Sequence, residues 1–404
     1  MDYYETIFKE ITKQKLLKMQ NATVKFYPVG NGDNALITLK DKTTIIVDCN
    51  IRNCDEGIYD VKKDLLKSIQ YDNSIPYVDV FILTHGDQDH CRGFKSHFYQ
   101  GDPKDYSSED KKNNIIRVDA MWFSPMIAEE STNEDEDAYQ KEAERRLELH
   151  RNNAPDKDLP GNRIRIIGYD GNKNYQDLDH LRSTPGNIVS RFNDKDQHLF
   201  SIFIHAPFKE HLENEGGDKK NSTSIVFQAR FKTEAYQSNF SGLVMFGGDS
   251  DHSSWNIILD KTKRHNNEKA LEWDLFLSPH HCSWSFFNER PHAKNPNPME
   301  SSLEVLDYKR RESKVIASSK TILDDDDNPP HYDAKKEYIK KVGNTNFLNT
   351  STYNIINKVP QPIIFEVTFL GIAKPRQTEG TAKVVGTAGL GIVNSTSKYG
   401  CNEL

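Results

Sequence analysis

The sequence lacks the features of membrane and secreted proteins. It contains no run of about 18 apolar residues, so no transmembrane helix is expected. The first segment, MDYYETIFKEITKQKLLKMQ, has no apolar core of the kind that a secretory signal needs. The five cysteines are odd in number and include no CxxC pair, which is unlike a disulfide framework and fits thiols that stay reduced. These absences favour a cytoplasmic protein with no membrane partner.

The chain also lacks an excess of positive charge. With 53 basic and 60 acidic residues, its formal net charge is −7. Such a protein has no overall basic field that would attract nucleic acid or an anionic membrane. Any polyanionic substrate must therefore be held locally. Two short basic clusters are candidates for a nucleic-acid path, although most such runs are solvated faces: Lys261, Lys263 and Arg264, and Lys309, Arg310 and Arg311.

The most informative stretch of the chain is Val78–Gly93, VDVFILTHGDQDHCRG. Within it, Val80–Leu83 is a short apolar run that indicates a strand buried on both faces. Four side chains that bind metals follow within six residues: His85, Asp87, Asp89 and His90. Imidazole and carboxylate ligands suit Zn²⁺, Mn²⁺ or Fe²⁺. The pattern predicts a metal site at the end of this strand; a polar turn with caps and salt bridges is the structural alternative.

Two later strands also end in residues that bind metals. The apolar segment GLVMF leads through two glycines to Asp249, and the glycines would let the backbone approach a crowded site closely. The apolar segment WDLFL leads to His280 and His281. An open catalytic metal site takes several protein ligands and keeps coordination positions for water. The three strand ends together predict such a site.

The pattern of the remaining chain indicates an α/β layered fold. From Thr23 onward, TVKFYPV, NALITLK and TTIIVDC alternate with period two and predict a β-meander, and VKKDLLKSIQ has helical spacing. Strand, helix and strand in this order are typical of α/β layers. Further strands are predicted at 118–123, 163–168, 198–205, 224–231, 241–247, 313–319 and 363–370. Further helices are predicted at 5–18, 299–307 and 332–341.

Three polar segments are interpreted as insertions, at 101–114, 129–160 and 208–221. The second contains EDEDAYQKEAERRLELH, which predicts a solvated helix at the surface. The third is expected to be an insertion or a flexible lid. The tail, 372–404, is rich in Gly, Thr and Ser and is expected to be irregular, since its glycines do not follow a strand into a helix as a dinucleotide site requires.

The motifs carry a resemblance to a known family. THGDQDH resembles the HxHxDH motif of the metallo-β-lactamase superfamily, with Asp87 in place of the middle histidine. With VGNGD…IIVDC, NSTSIVF, GGDS and SPHHCS, it is similar to the metallo-hydrolase domain of ComEC-type competence proteins, and SSKTIL…PPHYDAKKEYIKK resembles the closing segment of that domain. The resemblance covers residues 22–371. It implies an α/β fold, a four-layer αββα sandwich of two mixed β-sheets flanked by helices, after a helical extension at 1–21.

The resemblance also implies two divalent cations, Zn²⁺ or Mn²⁺. His85 and Asp87 would serve one ion, while Asp89, His90 and His280 would serve the second, with Asp249 bridging them. The first ion is then short of a ligand, and its site would be weak. Of the histidines in the interval where the family has another ligand, His205 is interpreted as a core residue and His211 as part of a polar loop. Cys91 follows His90, and Cys282 stands where the family has a glycine. Both are interpreted as small residues that fill apolar space, in preference to a role as soft metal ligands.

Several residues are predicted to act around the metals. Asp89 and His281 are assigned to catalysis. Asp48 would orient a ligand histidine, as carboxylates behind metal-binding imidazoles do, unless it is a turn residue. Either His281, Ser283 or His331 would protonate the leaving oxygen or clamp the phosphate, although His331 also fits a plain helix start. Residues that support the metal ligands or bind substrate are then predicted to be Asp48, Asn221, Ser283 and His331.

The resulting hypothesis is a metal-dependent hydrolase, a phosphodiesterase or nuclease that acts on DNA through a metal-activated hydroxide. Two other functions stay open. One is hydrolysis of a small substrate, such as a cyclic nucleotide, lactone or thioester, since this scaffold hosts many chemistries. The other is a non-catalytic partner subunit that retains the metal site. Protein partners and a homo-oligomer stay open as well.

Overall fold

The computed structural model describes residues 21–53, 55–125, 132–168, 173–213 and 219–373. These residues form a mixed α/β fold with two large mixed sheets. The helix predicted at 5–18 and nearly all of the tail predicted at 372–404 lie outside the described residues. Within the described ranges, no helix combines the length and the apolar character that crossing a membrane requires.

The first sheet has ten strands. Nine lie side by side in the order Gly371–Ile372, Ile363–Thr368, Thr23–Phe26, Ala35–Thr38, Thr44–Val47, Ile75–Ile82, Arg117–Phe123, Arg163–Ile167 and Arg182–Ser183. The tenth, Gln70–Asp72, pairs with Ile75–Ile82. The five strands from Thr44–Val47 to Arg182–Ser183 pair in parallel. Parallel pairing brings the carboxyl ends of these strands to one edge.

The second sheet has seven strands. Their order is Phe347–Asn349, Lys309–Ala317, Trp273–Leu277, Gly242–Phe246, Val226–Phe231, Phe200–Ala206 and Ile188–Val189. The first four pair in parallel and the remaining pairs are antiparallel. Two small hairpins join Arg191–Phe192 with Lys195–Asp196 and Ile355–Ile356 with Val359–Pro360.

The helices lie mainly in the connections between strands. The longer ones are Val61–Ser68, Glu134–Arg151, His252–Arg264, Glu300–Asp307 and Tyr332–Val342. Short helices are Gln88–Cys91, Phe94–His97, Ser108–Lys112, Glu210–Glu213 and Lys219–Ser222, and 3₁₀ turns are Pro103–Asp105, Lys173–Leu181, Glu268–Leu271, Pro279–Cys282, Trp284–Phe286 and Asn344–Asn346. The helices predicted after Asp60, near residue 300 and at 332 are confirmed within two residues at each end.

Three apolar cores hold these elements together. One contains residues of both sheets, such as Val80 of the first and Phe227 of the second. Another joins the first sheet to helices through residues such as Leu65 and Leu147. A third joins the second sheet to helices and includes Trp255. A strand such as Ile75–Ile82, whose last five residues are all buried, lies between two of these cores, which confirms the prediction of a strand buried on both faces.

Within the charged segment at 129–160, helix Glu134–Arg151 faces the core, so the prediction of a solvated helix is wrong for one of its faces. Tyr139, Ala143 and Leu147 of helix Glu134–Arg151 are fully buried, at the spacing of three to four residues that defines one helix face. Arg146 is buried beside them, and its Nε donates to Glu142 Oε1 over 2.7 Å. The charge that marked this segment as solvated is therefore partly neutralised inside the protein.

We expect Arg146→Ala to lower the free energy of unfolding by about 3 kcal/mol, because it removes one of the two arginines that pair with the buried Glu142 and the donor to the Arg163 and Val118 carbonyls. Lys141→Ala is the matched control. It removes an exposed ion pair with Asp137 on the same helix, at 2.7 Å, and such pairs contribute about 0.3–0.5 kcal/mol. Urea denaturation of both variants measures the difference. Equal effects would contradict a core-facing helix.

Candidate metal centre

Four parallel strands deliver acidic and histidine side chains to one edge of the fold. In the first sheet, Asp48 follows Thr44–Val47, and His85 follows Ile75–Ile82. In the second sheet, Asp249 follows Gly242–Phe246, and the pair His280–His281 follows Trp273–Leu277. Loops at the ends of rigid strands are where proteins commonly place functional residues.

Hydrogen bonds join the two sheets at this edge. Ile225 directly precedes strand Val226–Phe231 of the second sheet, and its amide donates to the Thr84 carbonyl over 2.9 Å. The Ser318 hydroxyl, after strand Lys309–Ala317, donates to the Gly32 carbonyl over 2.6 Å. These contacts fix the ends of strands from different sheets relative to one another.

The carboxylate of Asp249 lies at the centre of the cluster. It is 2 % exposed, and four imidazoles surround it. Its Oδ1 lies 2.8 Å from His90 Nε2 and 3.6 Å from His281 Nε2. Its Oδ2 lies 3.8 Å from His280 Nε2 and 4.0 Å from His85 Nδ1. Each oxygen of Asp249 therefore faces a different pair of histidines.

One further carboxylate lies beside each pair. Asp89 Oδ2 is 3.1 Å from His281 Nε2, and Asp87 Oδ2 is 3.7 Å from His85 Nδ1. The cluster thus has two halves that share Asp249. The Oδ1 half comprises Asp89, His90 and His281. The Oδ2 half comprises His85, Asp87 and His280.

Polar groups behind three of the imidazoles orient them. His90 Nδ1 lies 3.0 Å from Asp48 Oδ2, and Asp48 is itself held by the amide and the hydroxyl of Thr84, both at 2.6 Å. His281 Nδ1 lies 3.5 Å from Asp33 Oδ1, and His280 Nδ1 lies 3.0 Å from Ser285 Oγ. Such partners fix the ring orientation of metal-binding histidines.

The turn that carries the two adjacent histidines is strained. His280, His281 and Cys282 have φ angles of 48°, 53° and 69°. This left-handed conformation costs a residue with a side chain about 1–2 kcal/mol. The His280 amide donates to the Gly248 carbonyl over 3.1 Å and helps to hold the turn. The strain has a geometric result, because it directs two neighbouring imidazoles to opposite oxygens of one carboxylate.

Two glycines allow the loops around Asp249 to approach one another. A Cβ at Gly32, where φ is +137°, would lie 2.0 Å from Asn50 Nδ2 and 2.6 Å from the Asp89 carbonyl oxygen. A Cβ at Gly248, where φ is +52°, would lie 3.0 Å from the Cβ of Ser224. The first position admits only glycine, since both its space and its backbone conformation exclude a side chain.

The charges of the cluster shift its pKa values strongly. Burial by itself would lower the pKa of His90, but the carboxylates of Asp249 and Asp48 raise it well above its usual value. Burial likewise opposes the effect of Asp249 on His281, whose pKa is raised to about 10. Burial would raise the pKa of Asp249, but the surrounding imidazoles lower it well below its usual range. Without a cation, protons on the imidazoles therefore balance the buried carboxylates.

The residues of the cluster fit metal ions. In the described part of the chain, several buried atoms lie 2.8–3.6 Å from one another without the geometry of a hydrogen bond: Asp33 Oδ1, His90 Nε2, Asp249 Oδ1 and both ring nitrogens of His281. Ligand atoms of two overlapping sets lie within 4.8 Å of one another: His85, His90 and Asp249, and Asp33, His90 and His281. Buried polar atoms are costly unless something satisfies them. A cation would satisfy these.

Other residues singled out in the sequence lie around the cluster rather than in it. Ser283 Oγ donates to Asn328 Oδ1 over 2.8 Å and lies 2.9 Å from Ser285 Oγ, so it supports the serine behind His280. The Asn221 carbonyl accepts from the Ser224 amide at 3.2 Å.

His331 caps helix Tyr332–Val342: its Nδ1 accepts from the Asp333 amide over 3.1 Å. The His331 amide donates to the Cys282 carbonyl over 2.9 Å, so its backbone adjoins the strained turn. Its side chain lies beside Trp284 and His292, with ring centroids at 5.7 and 5.4 Å. The side-chain contacts given for His331 are therefore with residues outside the metal cluster.

Neither His205 nor His211, the two histidines considered for the missing ligand, joins the cluster. His205 Nε2 lies 2.9 Å from the Ala270 carbonyl oxygen, and burial lowers the pKa of His205 to about 3, which confirms a core histidine. His211 is buried, and its Nδ1 accepts from the Phe208 amide over 2.8 Å.

The two cysteines next to ligand-type residues are packed in apolar surroundings. Cys91 and Cys282 are fully buried, each in one of the apolar cores. Burial raises the pKa of both thiols. Both side chains therefore stay neutral and fill space, as the sequence predicted.

The two basic clusters lie away from the metal cluster. Lys261 and Lys263 pair with Glu210 and Glu304, and they stand at the far end of helix His252–Arg264. At roughly 1.5 Å per residue, this helix carries them well away from Asp249. Arg310 pairs with Asp274 over 3.0 Å at the start of a strand whose other end adjoins the cluster. The residues of both basic clusters therefore lie at the ends of their elements that are remote from the metal cluster.

Sequence reasoning missed Asp33 and Ser285. Asp33 ends the turn GNGD, whose glycines indicated a turn but not a buried carboxylate behind a histidine. Ser285 is one of several serines after His281, and nothing in the sequence separates it from Ser283. No protein-family model matches this chain, and no curated protein matches it.

We expect metal binding at neutral pH to release protons, because the pKa values of His90 and His281 are raised and a cation binds only the neutral imidazole. The affinity for Zn²⁺ should therefore rise as the pH increases toward about 10. Calorimetric titration in two buffers of different ionisation enthalpy measures the number of protons. His281→Ala should release fewer, whereas the exposed His198→Ala should match the wild type. Equal proton counts in all three proteins would contradict the expectation.

Proposed function

We propose that this protein is a metal-dependent phosphodiesterase that acts on DNA, and that it is a member of the metallo-β-lactamase superfamily related to the ComEC-type hydrolase domain. The observation that carries the proposal is the position of Asp249. Each of its two oxygens faces a different pair of histidines, and each pair has a further aspartate beside it. Two cations that share one carboxylate are a common arrangement for phosphodiester hydrolysis.

The proposed fold is the four-layer αββα sandwich of that superfamily. Three apolar cores support it, because one contains residues of both sheets and the other two each join one sheet to helices. The layers would then follow one another as helices, first sheet, second sheet and helices. The position of the cluster at the carboxyl ends of parallel strands in both sheets fits this arrangement.

We assign the two adjacent histidines to different cations. His280 would complete the Oδ2 half with His85 and Asp87, and His281 would complete the Oδ1 half with Asp89 and His90. This assignment differs from the sequence-based one, in which His280 served the second ion and the first lacked a ligand. The distances from Asp249 support it, since His281 lies on the Oδ1 side and His280 on the Oδ2 side.

The donor set favours Zn²⁺ or Mn²⁺, because it combines imidazoles with carboxylates. When bound, the cations would supply Lewis acidity and neutralise charge that develops on a phosphodiester. The chain's own residues would orient this centre. Asp48, Asp33 and Ser285 would hold the rings of the ligand histidines in place, as residues behind metal ligands do.

Substrate would approach the cluster past Asp87, Asp89 and His280. The side chains of these residues are 41 %, 31 % and 24 % exposed, whereas His281 is fully buried. A buried His281 that lies 3.1 Å from Asp89 is better suited to hold a cation than to protonate a leaving oxygen. We therefore propose a ligand role for His281 in place of the proton-donor role expected from the sequence.

One observation favours a second candidate, a small phosphodiester such as a cyclic nucleotide. In both basic clusters, lysine or arginine side chains pair with acids, and both clusters lie away from the metal cluster. A long nucleic acid usually needs a basic surface beside its cleavage site. A small substrate needs only the cations and a few polar groups.

We expect Asp89→Ala to lower phosphodiester hydrolysis at least about 100-fold, since even substitutions behind metal ligands cost about 10–100-fold. The exposed Asp260→Ala is the control and should retain the wild-type rate. The assay offers single-stranded DNA, duplex DNA, RNA and cyclic dinucleotides in Mn²⁺ or Zn²⁺, and the metal content of each variant is measured alongside.

Two results would overturn the proposal. Hydrolysis by Asp89→Ala at the wild-type rate would exclude the metal mechanism. Hydrolysis of a lactone or thioester, with none of the phosphodiesters cleaved, would exclude the substrate class. Cleavage of cyclic dinucleotides but not of DNA would favour the second candidate.

A further inference from the structure

A cavity of about 190 Å³ lies at the flank of the first sheet. Arg163 and Arg165 of strand Arg163–Ile167 line it, together with Trp122 and with His150 from the end of helix Glu134–Arg151. Trp122 is the register partner of both Ile82 and Arg165. Arg165 is therefore two strands, about 10 Å, from the strand that leads to His85. The cavity is separate from the metal cluster.

His150 has unused hydrogen-bonding capacity inside this cavity. It is 9 % exposed, and neither of its ring nitrogens has a hydrogen-bond partner among the described residues. Burial lowers the pKa of His150, and the nearby Asp158 only partly opposes this effect. The ring is therefore neutral and offers one N–H donor and one acceptor. A buried donor without a partner is costly, so a ligand that accepts its hydrogen bond would be stabilised.

Arg165 is a half-buried cation without a carboxylate partner in the part of the chain that the structure describes. Its Nη1 donates to Ser183 Oγ over 2.8 Å, and its guanidinium carbon lies 5.8 Å from the centre of the Trp122 ring. Burial lowers the pKa of Arg165. A guanidinium has five N–H donors, so most of its capacity stays available.

Arg163 adds a second guanidinium to the same cavity. Its Nη1 donates to Asn193 Oδ1 over 2.6 Å, while its Nε is buried without a hydrogen-bond partner among the described residues. The two acids that line the cavity have cations of their own. Asp194 Oδ1 lies 2.6 Å from Arg191 Nη2, and Asp158 Oδ2 lies 3.1 Å from Lys157 Nζ. Asp194 Oδ2 also lies 4.0 Å from Arg163 Nη2, but neither acid forms an ion pair with Arg165.

The size of the cavity limits the ligand. Pockets for drug-sized molecules measure about 300–1,000 Å³. A cavity of about 190 Å³ is smaller and suits a compact group. Guanidinium groups match oxyanions with two or more acceptor oxygens, because their N–H donors form a rigid fork.

We propose that this cavity binds a small phosphate-type oxyanion through Arg165, Arg163 and His150. Free phosphate and the phosphate group of a monoester share this chemistry. The anion would give Arg165 the counter-charge that the chain does not supply and would accept the N–H of His150. The site is independent of the metal cluster and of the function proposed for it.

Inorganic phosphate is the first probe, and its binding is measured by calorimetry on the whole chain. A chelator first removes metal from the protein, so that metal ions cannot bind the anion. Arg165→Met should weaken phosphate binding about tenfold or more, because charge-assisted hydrogen bonds are lost. His150→Phe, which keeps the bulk of the ring, should weaken binding as well. Arg264→Met is the matched control. Arg264 is exposed, pairs with Asp260 and is not part of the cavity lining, so binding should change less than about twofold.

A second substitution keeps the test decisive if Arg165→Met does not fold. Arg165→Lys keeps the charge but not the fork of donors, and it should also bind phosphate more weakly than the wild type. A nucleoside 5′-monophosphate is the second probe. Equal affinity for both probes would identify the free anion as the ligand. Tighter binding of the monophosphate that also depends on Arg165 would identify a phosphate ester as the ligand.

The proposal fails if metal-free wild type binds neither probe at millimolar concentration. It also fails if a folded Arg165 variant binds phosphate as the wild type does. Equal losses in Arg165→Met and Arg264→Met would show a diffuse charge effect in place of a site.

Discussion

The buried carboxylate of Asp249 is the constraint on which the rest of the cluster depends. A charge at this depth is unfavourable unless opposite charges surround it, and four imidazoles do so. Those imidazoles come from two sheets, so the strand ends of both must meet at one edge. The hydrogen bonds from Ile225 to Thr84 and from Ser318 to Gly32 keep them there. Packing and electrostatics thus impose the same arrangement of the two sheets.

Much of the fold was accessible from the sequence because hydrophobic alternation reports which faces of an element are buried. The strands around Val80 and the helix after His331 were predicted from this signal and are confirmed. The buried face of helix Glu134–Arg151 was not predicted, because a count of charges does not show that Arg146 and Glu142 pair inside the protein. The order of strands within each sheet is set by contacts between distant segments, which a single sequence does not display.

The candidate site, like the fold, was predicted in part from the sequence. The sequence located every acidic and histidine residue that surrounds Asp249, because ligand-type side chains at strand ends are conspicuous. It did not separate the roles of His280 and His281, since these depend on a left-handed turn at two residues that rarely adopt one. Asp33 was missed because its link to His281 crosses from one sheet to the other.

The strained turn at His280–Cys282 has a consequence for how this protein can change in evolution. Both halves of the cluster take a histidine from a single strand end, and the two residues are adjacent. Inserting or deleting one residue in this turn would displace both imidazoles at once, so neither half could vary alone. The exposed hairpin formed by Ile355–Ile356 and Val359–Pro360, by contrast, contributes no residue to the cluster and can change length without moving a ligand. The histidine pair therefore makes the turn Pro279–Cys282 intolerant of altered length.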